Sequence, residues 1–430
     1  MGARLRRLLV AATSLLAGCT GLFQRALPDQ PDQYHVVAPV RDDLCIGSAA
    51  VDITPPVGGY LGGFGLGRTS TAVHAPLQVR ALVLTTDSRR FAILGIDNLG
   101  VMRDDVDWLK SGLPGFAMGD VFVCSSHTHA GPDLIGLWGS YLLTTGRDRD
   151  RVAQLRAATT AAVQQALAAA APAQLLRGEA RLPPTGLVKN SKRPQVFDRR
   201  VVVLHARARD DGRPLGTLLQ LVCHPEVLGR DHTELSPDFV GALCEQWQAR
   251  GHGQAVFVNG ALGAMVSPAV QPRDATGVAK FGAVACTLAE QALASAKPLA
   301  VDAIEVRRAD LYLPVETLGF RLGQLTMALQ RQLYDGCARS SVGWLRIGDF
   351  EAVAVPGELE PTLAQRLRAE LHRPDLVVFG LCDDELGYLL DERDARNPRF
   401  GYERSMSVCL RAGELVRAAL SGRTAPAASR

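Results

Sequence analysis

The chain has 430 residues, 47% of them hydrophobic, enough to bury one large core or two modest ones. Its 47 basic and 44 acidic residues leave a net charge of +3, with no basic run interleaved with aromatics, which argues against a nucleic-acid partner. No C-x-x-C pair occurs among the nine cysteines, which argues against a cysteine-rich structural zinc site.

The N-terminus reads as an export signal. Arg4, Arg6 and Arg7 precede an apolar run, Leu8 to Leu16, that is too short to span a bilayer as a mature helix. Leu16-Ala17-Gly18-Cys19 resembles the bacterial lipoprotein cleavage box, in which the cysteine becomes the lipidated first residue. On this reading residues 1–19 are a signal peptide and Cys19 carries the lipid. The protein is then exported to the bacterial cell envelope and held at a membrane by its acyl chains, at the outer membrane or facing the periplasm. The alternative is an ordinary signal peptide with an incidental cysteine. Residues 20–43, rich in Pro, Gln and Asp, read as a flexible tether.

From residue 44 the hydrophobic periodicity alternates. Strand-like runs cover 79–85, 91–96, 121–124, 201–204, 218–223, 255–258, 352–355 and 376–379. Helix-like runs cover 151–170, 239–248, 278–294, 318–333, 361–371 and 413–420. Such alternation predicts an α/β fold with a mixed sheet over 44–420, followed by a small polar tail, 421–430. The glycine clusters at 58–67 and 260–263 lack phosphate-loop spacing and a closing lysine, and read as tight turns near a pocket. Cys124 and Cys223 in apolar strands and Cys286 in an Ala-rich helix suit small buried thiols, although export would permit pairing.

The most informative stretch is Cys124-Ser-Ser-His-Thr-His-Ala-Gly-Pro132, where an apolar strand delivers two histidines spaced i, i+2. In extended backbone His127 and His129 then face one pocket, and Gly131-Pro132 turns the chain away. His224 ends a second apolar strand, 218–223. Glu358 follows a third strand and a Pro-Gly turn, and Tyr402 lies in a polar aromatic segment, 400–405. Strand ends that each supply a ligand-type side chain are how α/β enzymes assemble sites. Two imidazoles and a carboxylate with an open position form a catalytic zinc set.

These blocks resemble the neutral/alkaline non-lysosomal ceramidase family, from about residue 46 to residue 406. Ile46-Gly-Ser-Ala-Ala-Val-Asp-Ile-Thr-Pro55 is similar to its opening segment, and His74-Ala-Pro-Leu-Gln-Val-Arg80 to its next strand entry. Ser126-His-Thr-His-Ala-Gly-Pro132 is similar to its most specific motif, THTHSGP; His224-Pro225, Pro356-Gly-Glu358 and Gly401-Tyr402-Glu403 follow in the family's order. The resemblance implies the mixed-sheet catalytic domain of that family over 44–420, without its C-terminal β-rich domain. It implies a zinc ion (Zn2+) held by His127, His224, Glu358 and Tyr402, with His129 as a second active-site histidine outside the ligand set. Arg193 falls near the family's active-site arginine, with Lys192 as the competing position. Ser267-Pro268 falls near its serine loop, but that loop here lacks the aspartate and carries one extra residue. The implied activity is hydrolysis of an N-acyl-sphingosine or another hydrophobic N-acyl amide by metal-activated water.

Other readings stay open at this point. Ser267 could serve a serine hydrolase with His224 or His129 as base, although no G-x-S-x-G elbow surrounds it. A surface lipoprotein could also bind a ligand without turning it over. The segments 58–67 and 135–138 are apolar and loop-like, suited either to the mouth of an acyl-chain pocket or to core packing. Asp52 and Asp97 are either carboxylates that orient ligands or turn aspartates. Asp383-Asp384-Glu385 reads as an exposed acidic turn.

Overall fold

The computed structural model of the protein describes residues 24–41, 43–141 and 144–422. The expected export signal, Cys19 and nearly all of the expected tail lie outside the described residues.

Two sheets stack face to face. The larger runs in the order Ala255–Asn259, Pro214–Leu221, Arg200–Ala208, Ala171–Arg181, Cys45–Asp52, Gln78–Thr85, Arg90–Ile96 and Val121–Ser125, with Lys297–Leu299 beside Ala171–Arg181. Its pairings are antiparallel except at Arg90–Ile96 with Val121–Ser125 and at Pro214–Leu221 with Ala255–Asn259. The second sheet is built on the long antiparallel pair Ala303–Pro314 and Cys337–Ile347. Phe350–Ala354 pairs with the latter, and Val377–Phe379 pairs parallel with Phe350–Ala354. The expected mixed α/β architecture is therefore present.

The inner faces share one core in which Leu82, Ile93, Phe122, Leu204 and Val256 meet Val306, Leu345, Phe350 and Phe379. Phe122 and Phe379 touch edge to face across the gap, with ring centroids 6.3 Å apart. The outer faces are covered by helices. Phe239–Ala249 and Ala275–Ala294 pack on one half of the large sheet through Trp247, Phe239 and Phe281. Arg103–Ser111 and Arg149–Ala168 cover its other half, where Val152, Leu155, Ala162, Val163 and Ala166 form a buried stripe at helical spacing within the expected run 151–170. Pro361–Glu370 and Ala412–Leu420 cover the second sheet. Strands such as Val121–Ser125 and Ala255–Asn259 are buried throughout, which is why they are near-continuous apolar runs. Two glycines permit the closest helix approaches: a Cβ on Gly47 would lie 2.1 Å from the Ala166 carbonyl oxygen, and one on Gly178 would lie 1.9 Å from that of Ala292.

Three expectations need correction. Residues 33–39, within the expected tether, form strand Gln33–Pro39, which pairs antiparallel with Ala303–Pro314. Composition hid the alternating segment Tyr34-His35-Val36-Val37-Ala38, which buries Ala38 and lets Tyr34 donate to Asp120. The helix expected over 318–333 ends at Leu325; Met327 has φ 63°, and Leu333–Tyr334 joins the second sheet. Finally, Asp383, Asp384 and Glu385 are buried rather than exposed. Asp383 pairs with Arg308 and Lys110, and Asp384 with Arg331 and Ser340. In sequence these cations lie far away or on a helix, so no local pattern reveals them.

Candidate metal centre

Three strand ends converge on one cleft. Beyond Val121–Ser125 the backbone of His127 turns into the left-handed region, φ 73°, an uncommon conformation for a residue with a side chain. The turn is held by His127 N donating to Asn98 O at 2.9 Å, from the loop after the neighbouring strand. His224 follows Pro214–Leu221, and its backbone N–H donates to Val266 O. Glu358 follows Phe350–Ala354 and begins a two-residue bridge to Tyr388–Leu389. All three side chains are buried.

The hydrogen bonds fix which nitrogens face inward. His127 Nδ1 lies 2.7 Å from Leu99 O, and His224 Nδ1 lies 2.8 Å from Val266 O. A carbonyl only accepts, so each Nδ1 carries the proton and each neutral ring presents a bare Nε2. Those Nε2 atoms face the same carboxylate: His224 Nε2 lies 3.0 Å from Glu358 Oε2, and His127 Nε2 lies 3.5 Å from Glu358 Oε1. Two lone pairs aimed at a carboxylate repel unless a proton or a cation sits among them. The donor set thus fits a divalent metal, and its carbonyl-anchored imidazoles are the usual outer support of one.

The pKa directions show the same demand for positive charge beside Glu358, which a proton on His224 or a bound cation meets. Burial pushes the Glu358 carboxyl up, but the nearby His127 and the hydrogen bond and charge of His224 outweigh it, so its pKa falls below the usual value. Burial pulls His224 down, yet its bond to Glu358 and the charge of that carboxylate raise it overall. His127 ends below its ordinary value, chiefly through burial.

His129 completes a three-histidine group whose ligand atoms all lie within 4.8 Å of one another. Neither of its ring nitrogens has a hydrogen-bond partner, and Glu226 Oε2 lies 3.8 Å from Nδ1. Burial, then the neighbouring His127 and His224, hold its pKa well below the ordinary histidine value, so it is neutral at pH 7. Phe64 packs on its ring, and Gly63 leaves the space that the ring fills: a Cβ there would lie 2.6 Å from His129 Cγ. Gly63 therefore occupies the tight turn expected near the pocket.

The cavity at this centre encloses about 40 Å3 and opens outward between apolar walls that include Ile135, Leu137, Trp138, Phe320 and Met406. Tyr402 stands at its lip, half exposed, with its ring 6.0 Å from that of Tyr388. Burial, then the charges of Glu358, Glu226 and Glu403, push the Tyr402 hydroxyl up to about 12.

Neither a protein-family model nor a curated protein sequence matches the chain. Solved structures do. A neutral ceramidase from Pseudomonas aeruginosa superposes with a TM-score of 0.71 at 16% identity, covering 88% of this chain and 73% of that one. The chain has the neutral ceramidase fold. A ceramidase complexed with C2 gives a TM-score of 0.69 at 15% identity, covering 88% of this chain and 74% of that one.

Within this neutral ceramidase fold, His127, His129, His224, Glu358 and Tyr402 come to one place. Arg193 does not. Its two terminal nitrogens bind Glu360 at 2.7 Å and Asp394 at 2.6 Å, its guanidinium stacks over Phe400, and it is absent from the cavity walls. The competing Lys192 is bound to Glu403 and to Arg399 O. Ser267 is buried in Val266–Pro268, which pairs with Val188–Asn190; its hydroxyl has no hydrogen-bond partner, so no base addresses it. Asp97 pairs with Arg80 inside the core rather than orienting a ligand.

Three groups at or beside the cavity escape a reading of the sequence. Tyr388 is buried between Met265 Sδ, 3.1 Å from its hydroxyl, and Glu358. Burial, then the charge of Glu358, pushes its pKa well above the usual tyrosine value. Glu226 approaches His129, and Glu385 lines the cavity wall. Burial, then Glu358, pushes Glu385 well above the ordinary carboxyl value. The one sequence signal was proximity: Glu226 is two residues from His224, and Tyr388 follows the acidic triplet.

Proposed function

We propose that this protein is a zinc-dependent hydrolase of a hydrophobic N-acyl amide, with ceramide-like amides as the substrate class. The observation that carries this reading is the facing of two bare imidazole nitrogens and one carboxylate, which calls for a cation at that point. The neutral ceramidase fold supports the choice of amide chemistry. His127, His224 and Glu358 would hold the zinc ion, with Tyr402 at the lip as the fourth ligand. When bound, zinc supplies Lewis acidity that acidifies water and polarises a carbonyl.

The residues of the chain supply the rest. His129, neutral and unpartnered, takes the proton of the attacking water and returns it to the leaving nitrogen. Water adds to the carbonyl carbon, the C–N bond breaks, and the products are a carboxylic acid and an amine. Tyr388 holds Glu358 in place, and the apolar walls exclude water from the acyl chain. The N-terminal pattern extends the proposal: export, lipidation at Cys19, and action at a membrane surface of the cell envelope.

The test compares long-chain ceramide, short-chain N-acyl amines and N-acyl amino acids, with and without a zinc chelator. Chelation should abolish turnover and zinc should restore it. His129→Gln should keep stoichiometric metal and lose activity, and Ser267→Ala should keep both. Activity that survives chelation but not Ser267→Ala would replace this reading with a serine hydrolase.

A further inference from the structure

Cys124 and Cys382 bring two thiols together in a place that the chemistry above does not use. Cys124 lies in Val121–Ser125, the strand at one end of the larger sheet. Cys382 lies just beyond Val377–Phe379 of the second sheet, in the stretch that leads to Glu385 and Tyr388. The two residues face each other as an antiparallel bridge. On either side of the pair, Ser125 N donates to Leu381 O at 3.1 Å and Asp383 N donates to Val123 O at 2.7 Å. Val123 N donates to Asp383 Oδ1 at 2.9 Å, which fixes the register a second time.

Because the flanking residues make those bonds, Cys124 and Cys382 form a non-hydrogen-bonded pair, the kind in which opposed side chains come closest. Such a pair sets its Cα atoms about 4.5 Å apart, inside the window of roughly 4.4–6.8 Å that a disulfide spans. Directly opposed residues project to the same face, and both thiols enter the core between the two sheets. There the Cys382 thiol hydrogen-bonds with that of Cys124, and both residues are 0% exposed. We propose that Cys124 and Cys382 are a disulfide-forming pair that closes as the chain folds in an oxidising compartment. The bond staples the strand that delivers His127 to the segment that carries Glu385 and Tyr388. The oxidant is another disulfide, of a small molecule or a protein. One thiolate attacks it and expels one thiol; the second thiolate displaces the remaining half and forms the Sγ–Sγ bond. The two cysteines give up two electrons and two protons, and the oxidant leaves as two thiols. Export, as proposed above, would supply such an oxidant. Burial sets the order of events: the bond closes before the core is complete, and the finished core shields it from reductants.

The test unfolds and reduces the full chain, then refolds it in a mixture of glutathione and glutathione disulfide. Free thiols are alkylated and the peptides are mapped by mass spectrometry without reduction. A cross-linked Cys124–Cys382 peptide is the expected result. Alkylated Cys124 and Cys382 in the refolded protein, or a bridge from either to another cysteine, would overturn the proposal. Mapping is done on wild type, so it depends on no variant folding. Against the same chain refolded in dithiothreitol, the bridged protein should melt about 2–5 °C higher. Cys124→Ala and Cys382→Ala should each melt at the same temperature from both buffers. A mapped bridge that leaves Tm unmoved, or a variant that keeps the difference, rules out the stapling role.

Discussion

Glu358→Gln is the most informative single change, because it keeps the shape of the ligand and removes its charge. Among the described residues, Glu358 is the one carboxylate within ion-pair distance of both His127 and His224. Loss of a partner that merely supports a ligand typically costs 10–100-fold in metal affinity, so removing charge from a ligand itself should cost at least about 100-fold. Metal binding stabilises by mass action: zinc at about 1,000 Kd contributes about 4.1 kcal/mol, and at about 10 Kd only about 1.4 kcal/mol. Unfolding entropy near 2.1 cal/mol/K per residue implies about 0.9 kcal/mol per degree for 430 residues. The zinc-dependent rise in Tm should therefore fall from about 4–5 °C to about 1.5 °C. Differential scanning fluorimetry across a zinc titration, with metal content measured by mass spectrometry, reads both quantities. A variant that keeps the full Tm increment and one equivalent of zinc would show that Glu358 is no ligand. The three-histidine group would then hold the metal unaided.

Two further outcomes are expected. His205 is held down to about 4, chiefly by burial and then by His252 and Arg207, and its Nδ1 bonds Thr217. Between pH 4 and 6.5 the unfolded chain binds the extra proton, so the contribution of His205 is complete above pH 6.5 and is lost as pH falls towards 4. Wild type should thus lose up to about 3 kcal/mol more than His205→Gln on acidification, read from urea denaturation at several pH values. Parallel losses would contradict the assignment. Arg193→Met should destabilise by about 2–3 kcal/mol, since it strips a partner from Glu360, which is fully buried and caps Pro361–Glu370. The same variant should leave kcat/KM within about threefold, below 1 kcal/mol of transition-state energy. A 100-fold fall in kcat with unchanged stability would instead restore an oxyanion role for Arg193.

What the sequence by itself determined is local. Apolar runs of strand length leading to His127, His224 and Glu358 were legible because a ligand at a strand end leaves a short signature: a run of apolar residues, a ligand-type side chain just beyond it, and a Gly or Pro close by. The buried stripe of Arg149–Ala168 was legible for the same reason, since helical period and burial coincide there. Tertiary structure decided everything that depends on partners distant in the chain. Asp383 and Asp384 look like solvated charges until Arg308, Lys110 and Arg331 arrive from other elements and make their burial tolerable. Arg193 fits an active-site loop in sequence, yet Glu360 and Asp394, 167 and 201 residues away, hold it outside the cavity wall. Residues 33–39 have the composition of a linker, but Ala303–Pro314 offers an unpaired edge, and hydrogen bonding to that edge fixes them as a strand. Glu385 reached the cavity wall only when the fold buried the acidic triplet and left one of its oxygens without a hydrogen-bond partner. No pattern in one dimension records which of two carboxylate oxygens has found a donor.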